Sequence, residues 1–205
     1  IIVGGSGLYI DALIKGLDPL PLGDHKIREQ LQERYRTDGS EPLLNELKER
    51  DPATWERIDK ANPHRVIRAL EVCIASGRPF SEQRTTPQDR TDIRIVRIAM
   101  HMPREQLYER IDQRVDAMIA SGLLGEARAL IPYKAHNALR TVGYRELFDH
   151  FAGNTTLDEA IALIKQHTRN YAKRQMTWLH RDTSWRFVSP SDPSELIQLV
   201  DGLIR

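Results

Sequence analysis

The chain has a single cysteine, Cys73, among 205 residues. One thiol can neither close an internal disulfide nor build a multi-cysteine zinc site, and the scarcity fits a reducing compartment. Cys73 sits in the apolar run 69–74 and reads as core, where a free cysteine behaves as a small hydrophobe. No apolar run approaches the roughly 18 residues of a membrane span. No basic-then-apolar leader opens the chain either, so the sequence reads as cytosolic, with no membrane partner. The seven histidines show no metal-ligand spacing, so no metal site is assigned to the residues. There is no Gly-x-Ser-x-Gly elbow, and nothing points to a nucleophilic Ser or Cys. An excess of charge is also absent: 30 Lys and Arg face 29 Asp and Glu, for a net charge of +1. With 40% hydrophobic and 29% charged residues, the composition is that of a soluble globular chain, long enough for one core or a core plus a small subdomain.

What the sequence does have is local concentration of charge. Residues 165–186 hold six Lys or Arg against one acid, Asp182. Tyr171 and Trp178 are interleaved with them, and the run Arg140-Thr141-Val142-Gly143-Tyr144-Arg145 lies just upstream. Cations mixed with flat apolar rings supply phosphate neutralisation and stacking faces for unstacked bases, which points to a nucleic-acid partner.

The chain opens on Ile1-Ile2-Val3, read as a strand, followed by Gly4-Gly5-Ser6-Gly7 and a helix ending near Gly16. A buried parallel strand needs neighbours on both sides, so the expectation is the carboxyl-terminal portion of a longer protein. Residues 24–88 read as helical only, with starts at Ser40, Asp51-Pro52 and Asn62-Pro63 and a stop at Gly77; 85–91 is polar and read as mobile. A β-branched run at 93–100 returns the chain to a sheet. Pro103 then opens a long helix with Leu107, Ile111, Val115 and Met118 on one face. Helices over about 141–151 and 157–179 follow, the second capped by Thr156. A strand at 185–188 and a terminal helix after Ser191 complete the reading.

Several residues could carry chemistry. Gly4-Gly5-Ser6-Gly7 at a strand-to-helix junction offers free N–H groups to an anion, although such glycines also serve steric needs, and no Lys-Ser/Thr pair follows as in a P-loop. Ser6 is either a helix cap or a hydroxyl aimed into a site. Arg114 lies at the edge of an apolar stripe near Asp112 and Asp116; the residues alone favour a structural ion pair, while the same fork would suit a pyrophosphate. Arg65 and Arg68 share one helical face, solvated or anion-binding. Lys165, Arg169 and Lys173 form a like-charge stripe at a spacing of four, expected to be neutralised by RNA or DNA.

Taken in order, these segments resemble the tRNA dimethylallyltransferases, also called tRNA isopentenyltransferases. The resemblance rests on Val3-Gly4-Gly5-Ser6-Gly7-Leu8-Tyr9; Gly16-Leu17 with Pro19-Leu20-Pro21; Asn62-Pro63-His64-Arg65 with Arg68-Ala69-Leu70-Glu71-Val72 and Ser76-Gly77-Arg78-Pro79; Arg110-Ile111 with Arg114-Val115-Asp116-Ala117-Met118; Val142-Gly143-Tyr144-Arg145-Glu146-Leu147; and Arg169 with Tyr171-Ala172-Lys173-Arg174-Gln175 and Thr177-Trp178. It implies an α/β fold: a P-loop NTPase-like parallel-sheet core, lacking its N-terminal part, over 1–23 and 89–205, with an all-helical insertion over 24–88 that contacts the tRNA anticodon arm.

The implied activity is transfer of the dimethylallyl group of dimethylallyl diphosphate to N6 of adenosine 37, with the base flipped into a channel. A Mg²⁺ ion would neutralise the leaving pyrophosphate, its ligands lying mostly in the missing segment. Carried over by motif, Ser6 stands where the family has a threonine at the reacting centre, and Arg114 binds the diphosphate together with Gly4 and Gly5. The tRNA-contacting positions are Ser6, Arg28, His64, Arg65, Val66, Ile67 and Arg68; the run Arg140, Thr141, Val142, Gly143, Tyr144 and Arg145; and Lys173, Arg174, Gln175, Met176, Thr177, Trp178, Leu179 and His180, the last where an arginine is common. The family's P-loop and the Asp-Ser segment bearing its general base are absent, so this chain alone is expected to be inactive. One cysteine excludes the zinc-finger tail of eukaryotic relatives, which implies a bacterial or organellar type, monomeric at full length. The rivals are a non-catalytic RNA-binding module and a fragment of a P-loop nucleotide kinase using Arg114 on nucleotide phosphates.

Overall fold

The computed structural model describes residues 1–18, 20–84, 90–191 and 193–204. The polar stretch read as mobile at 85–91 falls mostly outside them. Two compact units emerge, one of residues 9–93 and the other of residues 1–8 with 94–205.

The unit of residues 9–93 is helical. Helix α1 (Gly7–Lys15) runs into it and is followed by an irregular linker. Helix α2 (His25–Asp38) starts where the Asp24 carboxylate accepts from the amides of Lys26 and Ile27, and stops at Gly39, whose φ of 79° favours glycine. Helix α3 (Glu41–Arg50) follows Ser40, and α4 (Pro52–Arg57) starts at Asp51-Pro52 as expected. Helix α5 (Pro63–Ser76) starts at Asn62, whose side chain accepts from the Arg65 amide, and closes at the left-handed Gly77. Its apolar stripe packs Val66, Ile67, Ala69 and Leu70 against Leu31 of α2 and Leu43 and Leu47 of α3. Cys73 is buried on the same helix, and burial pushes its thiol up from the ordinary value.

The other unit is α/β: two short parallel strands and a set of helices. Strand β1 (Ile98–Met100) pairs with β2 (Arg186–Val188), Ala99 opposite Phe187. Between them lie α6 (Arg104–Ala120), α7 (Leu123–Ala129), α8 (Tyr144–Phe151) and α9 (Leu157–Leu179); α10 (Pro193–Ile204) follows. Val115, Leu123, Ala127, Leu147, Ala160 and Ile164 make the core where α6 to α9 meet. Thr156 and Glu159 form the capping box that starts α9.

Three expectations are corrected. Residues 1–3 form no strand: Ile1, Ile2 and Val3 are exposed, because no described segment pairs with their backbone. The strand expected over 93–100 shortens to Ile98–Met100, the stretch that meets β2. The helix expected from 141 begins at Tyr144, because Gly143 turns with a φ of 105°. Helix α7 had no sequence signal; at seven residues it is too short for its periodicity to stand out.

Candidate nucleic-acid and diphosphate interface

In the α/β unit the glycine segment lies against the carboxyl-terminal half of α9. Gln175 Nε2 donates to the carbonyl of Gly5 at 2.6 Å. A Cβ on Gly5 would stand 2.4 Å from that nitrogen, at the movable end of the Gln175 side chain, and one on Gly7 would stand 2.5 Å from the rigid Trp178 indole, so the approach needs glycine at Gly7. Ser6, half-buried, lies between them, whereas Gly4 is open. The structure thus brings together two predicted segments about 170 residues apart in sequence. Segment 173–180 divides by face. Lys173, Arg174, Thr177 and His180 are exposed, and Gln175, Met176, Trp178 and Leu179 are half-buried. The Trp178 ring meets Trp185 edge-on at 5.6 Å.

Helix α6 carries Arg114, exposed. Its neighbouring acids do not pair with it. Asp112 accepts from Arg169 of α9 at 2.6 Å, and Asp116 holds Lys165 at 2.7 Å. Among the described residues Arg114 makes no ion pair, which overturns the structural pairing that the residues alone favoured. The same two bonds correct a second expectation. Lys165 and Arg169 are neutralised by α6 within the chain, which leaves Lys173 as the open member of that stripe.

In segment 140–145, Arg140, Thr141 and Arg145 are exposed, while Val142 packs against the core. The turn is held by Glu146, a residue the sequence reading had only as part of a motif. Its buried carboxylate accepts from the Gly143 amide at 2.8 Å and from Arg145 at 3.4 Å, and lies 2.6 Å from His167 Nδ1 of α9. Burial pushes this carboxyl up, but the His167 ring, the Gly143 amide and the Arg145 charge together hold it below the ordinary value. A glutamate three residues after a turn glycine was the signal available. Tyr144 donates to the Glu126 carboxylate, which raises its phenol pKa, and stacks on Phe148 with centroids 6.3 Å apart.

In the helical unit the predicted residues separate. His64 and Arg65 are exposed at the start of α5, while Val66 and Ile67 are 3% and 6% exposed and belong to the core. Arg28 and Arg68 both grip the buried carboxylate of Glu71. Arg28 Nη2 stands 2.9 Å from it and Arg68 Nη1 3.1 Å, and Arg68 Nη2 also donates to the Pro21 carbonyl at 3.2 Å. The two guanidinium groups thus join α2, α5 and the linker, and the rest of each stays part-exposed. No cluster of three His, Cys, Asp or Glu that could hold a metal ion occurs among the described residues.

A family model described as IPP transferase matches residues 1–182. The chain is 43% identical to tRNA dimethylallyltransferase 2 of Parabacteroides distasonis over 94% of its own length and 64% of that protein's. It is 42% identical over its whole length to tRNA dimethylallyltransferase of Cytophaga hutchinsonii, covering 67% of that protein. The crystal structure of tRNA isopentenylpyrophosphate transferase from Bacillus halodurans is similar at a TM-score of 0.57 and 32% identity, over 97% of this chain and 63% of that one. The chain therefore spans about two thirds of the length of these relatives. By the family match and by identity along its length, it belongs to the IPP transferase family.

Proposed function

We propose that this chain supplies the RNA-gripping and diphosphate-facing parts of a tRNA dimethylallyltransferase, which moves the dimethylallyl group of dimethylallyl diphosphate to N6 of adenosine 37. In that reaction the amine forms a bond to the allylic carbon, the carbon–oxygen bond to the diphosphate breaks with the leaving group taking both electrons, and the amine nitrogen gives up one proton to the family's general base, which the Asp-Ser segment absent from this chain would carry. A fixed cation beside the diphosphate stabilises the charge that develops on it. The observation that carries the reading is Arg114, exposed with no ion-pair partner among the described residues, because α9 claims both neighbouring aspartates. Ser6 would face the reacting centre. The partners are the tRNA anticodon stem-loop and dimethylallyl diphosphate; the place of action is the cytoplasm; and a Mg²⁺ ion would neutralise the leaving pyrophosphate, held mostly by groups outside this chain.

The kinase and simple RNA-binding readings are not favoured by the relatives' names. Titration calorimetry with dimethylallyl diphosphate tests the assignment. Arg114→Ala is expected to weaken binding roughly ten- to hundredfold, the value of a charge-assisted hydrogen-bonded contact. Unchanged affinity would remove Arg114 from the site.

A further inference from the structure

Gln175 and Trp178 enter as tRNA-contacting residues by resemblance, yet both meet the glycine segment. Three residues apart, they share one face of α9. Gln175 holds the carbonyl of Gly5 at 2.6 Å, and the Trp178 indole lies where a side chain at Gly7 would have to be. The two contacts differ in kind. The Gln175 amide is the end of a flexible side chain and could swing away, losing its hydrogen bond. The Trp178 ring is a rigid plane with Trp185 against it. One contact fixes the peptide before Ser6 and the other the residue after it.

We infer that Gln175 and Trp178 are positioning residues for Ser6. Helix α9 sets the Ser6 hydroxyl from its half-buried face, while Lys173 and Arg174 on its exposed surface meet RNA phosphates. Ser6 lies between these two contacts, and a misplacement of about 1 Å at a reacting centre is costly. What Ser6 faces rests on the transferase reading; the ordering of the turn does not.

Gln175→Glu tests this, because it keeps the shape and loses the N–H donor. In ¹⁵N NMR of the 205-residue chain without RNA, the substitution is expected to shift the amides of Gly5, Ser6 and Gly7 and the Trp178 indole N–H, and to leave the Leu147 and Ile164 amides in place. With an anticodon stem-loop, the preference for adenosine 37 over a substituted loop should fall roughly 2- to 12-fold, the value of one hydrogen bond. The loss should not add to that of Ser6→Ala, since both act through one hydroxyl. Unmoved Gly5–Gly7 amides overturn the inference. So does a loss that is equal for both loops and additive with Ser6→Ala. If the unsubstituted chain shows no preference for adenosine 37 while the amides still shift, the transferase reading fails and the α9-ordered turn stands.

Discussion

Asp51 shows how a single charged residue can hold a fold together. It is 1% exposed, yet its carboxylate takes four hydrogen bonds: from the Thr54 amide at 2.9 Å and hydroxyl at 2.6 Å, and from the Ser81 amide at 2.7 Å and hydroxyl at 2.8 Å. It thereby starts α4 and ties down the turn after α5. Burial pushes its carboxyl up, but the Thr54 and Ser81 donors outweigh that and hold it below the ordinary value, as with Glu146. A carboxyl whose pKa is lower folded than unfolded adds stability that is complete above the unfolded value, about 4, and is lost as pH falls through the folded value. Melting temperature against pH should therefore drop below about 4. Asp51→Asn should cost about 1–3 kcal/mol at neutral pH, because an amide can no longer accept at all the facing donors, and should flatten the acid limb. An identical acid limb in Asp51→Asn would show that the carboxylate is not held this way.

At the scale of elements, α6 and α9 decide which cations are available. Asp112 and Asp116 answer Arg169 and Lys165, so the exposed cations of α9 are Lys173 and Arg174. Lys173→Ala and Arg174→Ala should each lower the slope of log affinity against log salt for an anticodon stem-loop by about one. Lys165→Ala and Arg169→Ala should leave it nearly unchanged; the reverse order would refute the division. Thr156→Ala removes the cap of α9 and should cost about 1 kcal/mol in urea unfolding. The helices were legible because their ends are written locally, Asn62-Pro63 and Gly77 for α5, Thr156 and Glu159 for α9. The strands were less so. Whether residues 93–97 extend β1 depends on a partner far along the chain, and β2 offers only Arg186–Val188. Pairing of Asp112 with Arg169 is equally non-local, so spacing alone could not separate an anion-binding stripe from an internal one.

Over the whole molecule, two cores stand apart in sequence. One gathers Leu31, Leu43, Leu47 and Leu70, the other Val115, Leu147 and Ile164. Leu70→Ala should cost about 2–5 kcal/mol. Its effect on native-state hydrogen exchange should be concentrated in residues 9–93, with the Leu147 and Ile164 amides little changed. Uniform loss of protection would mean the cores unfold as one. The family was legible from ordered motifs, but their burial was not: Val66 and Ile67 sit within a predicted contact run and are core, because a helix alternates faces within any such run. The most direct test of the central claim is the affinity of this chain for an unmodified anticodon stem-loop bearing adenosine 37, against the same loop with that base replaced, across a salt series. The account predicts affinity that falls with salt and drops on replacing adenosine 37. Equal binding of both loops, or no binding, would contradict it.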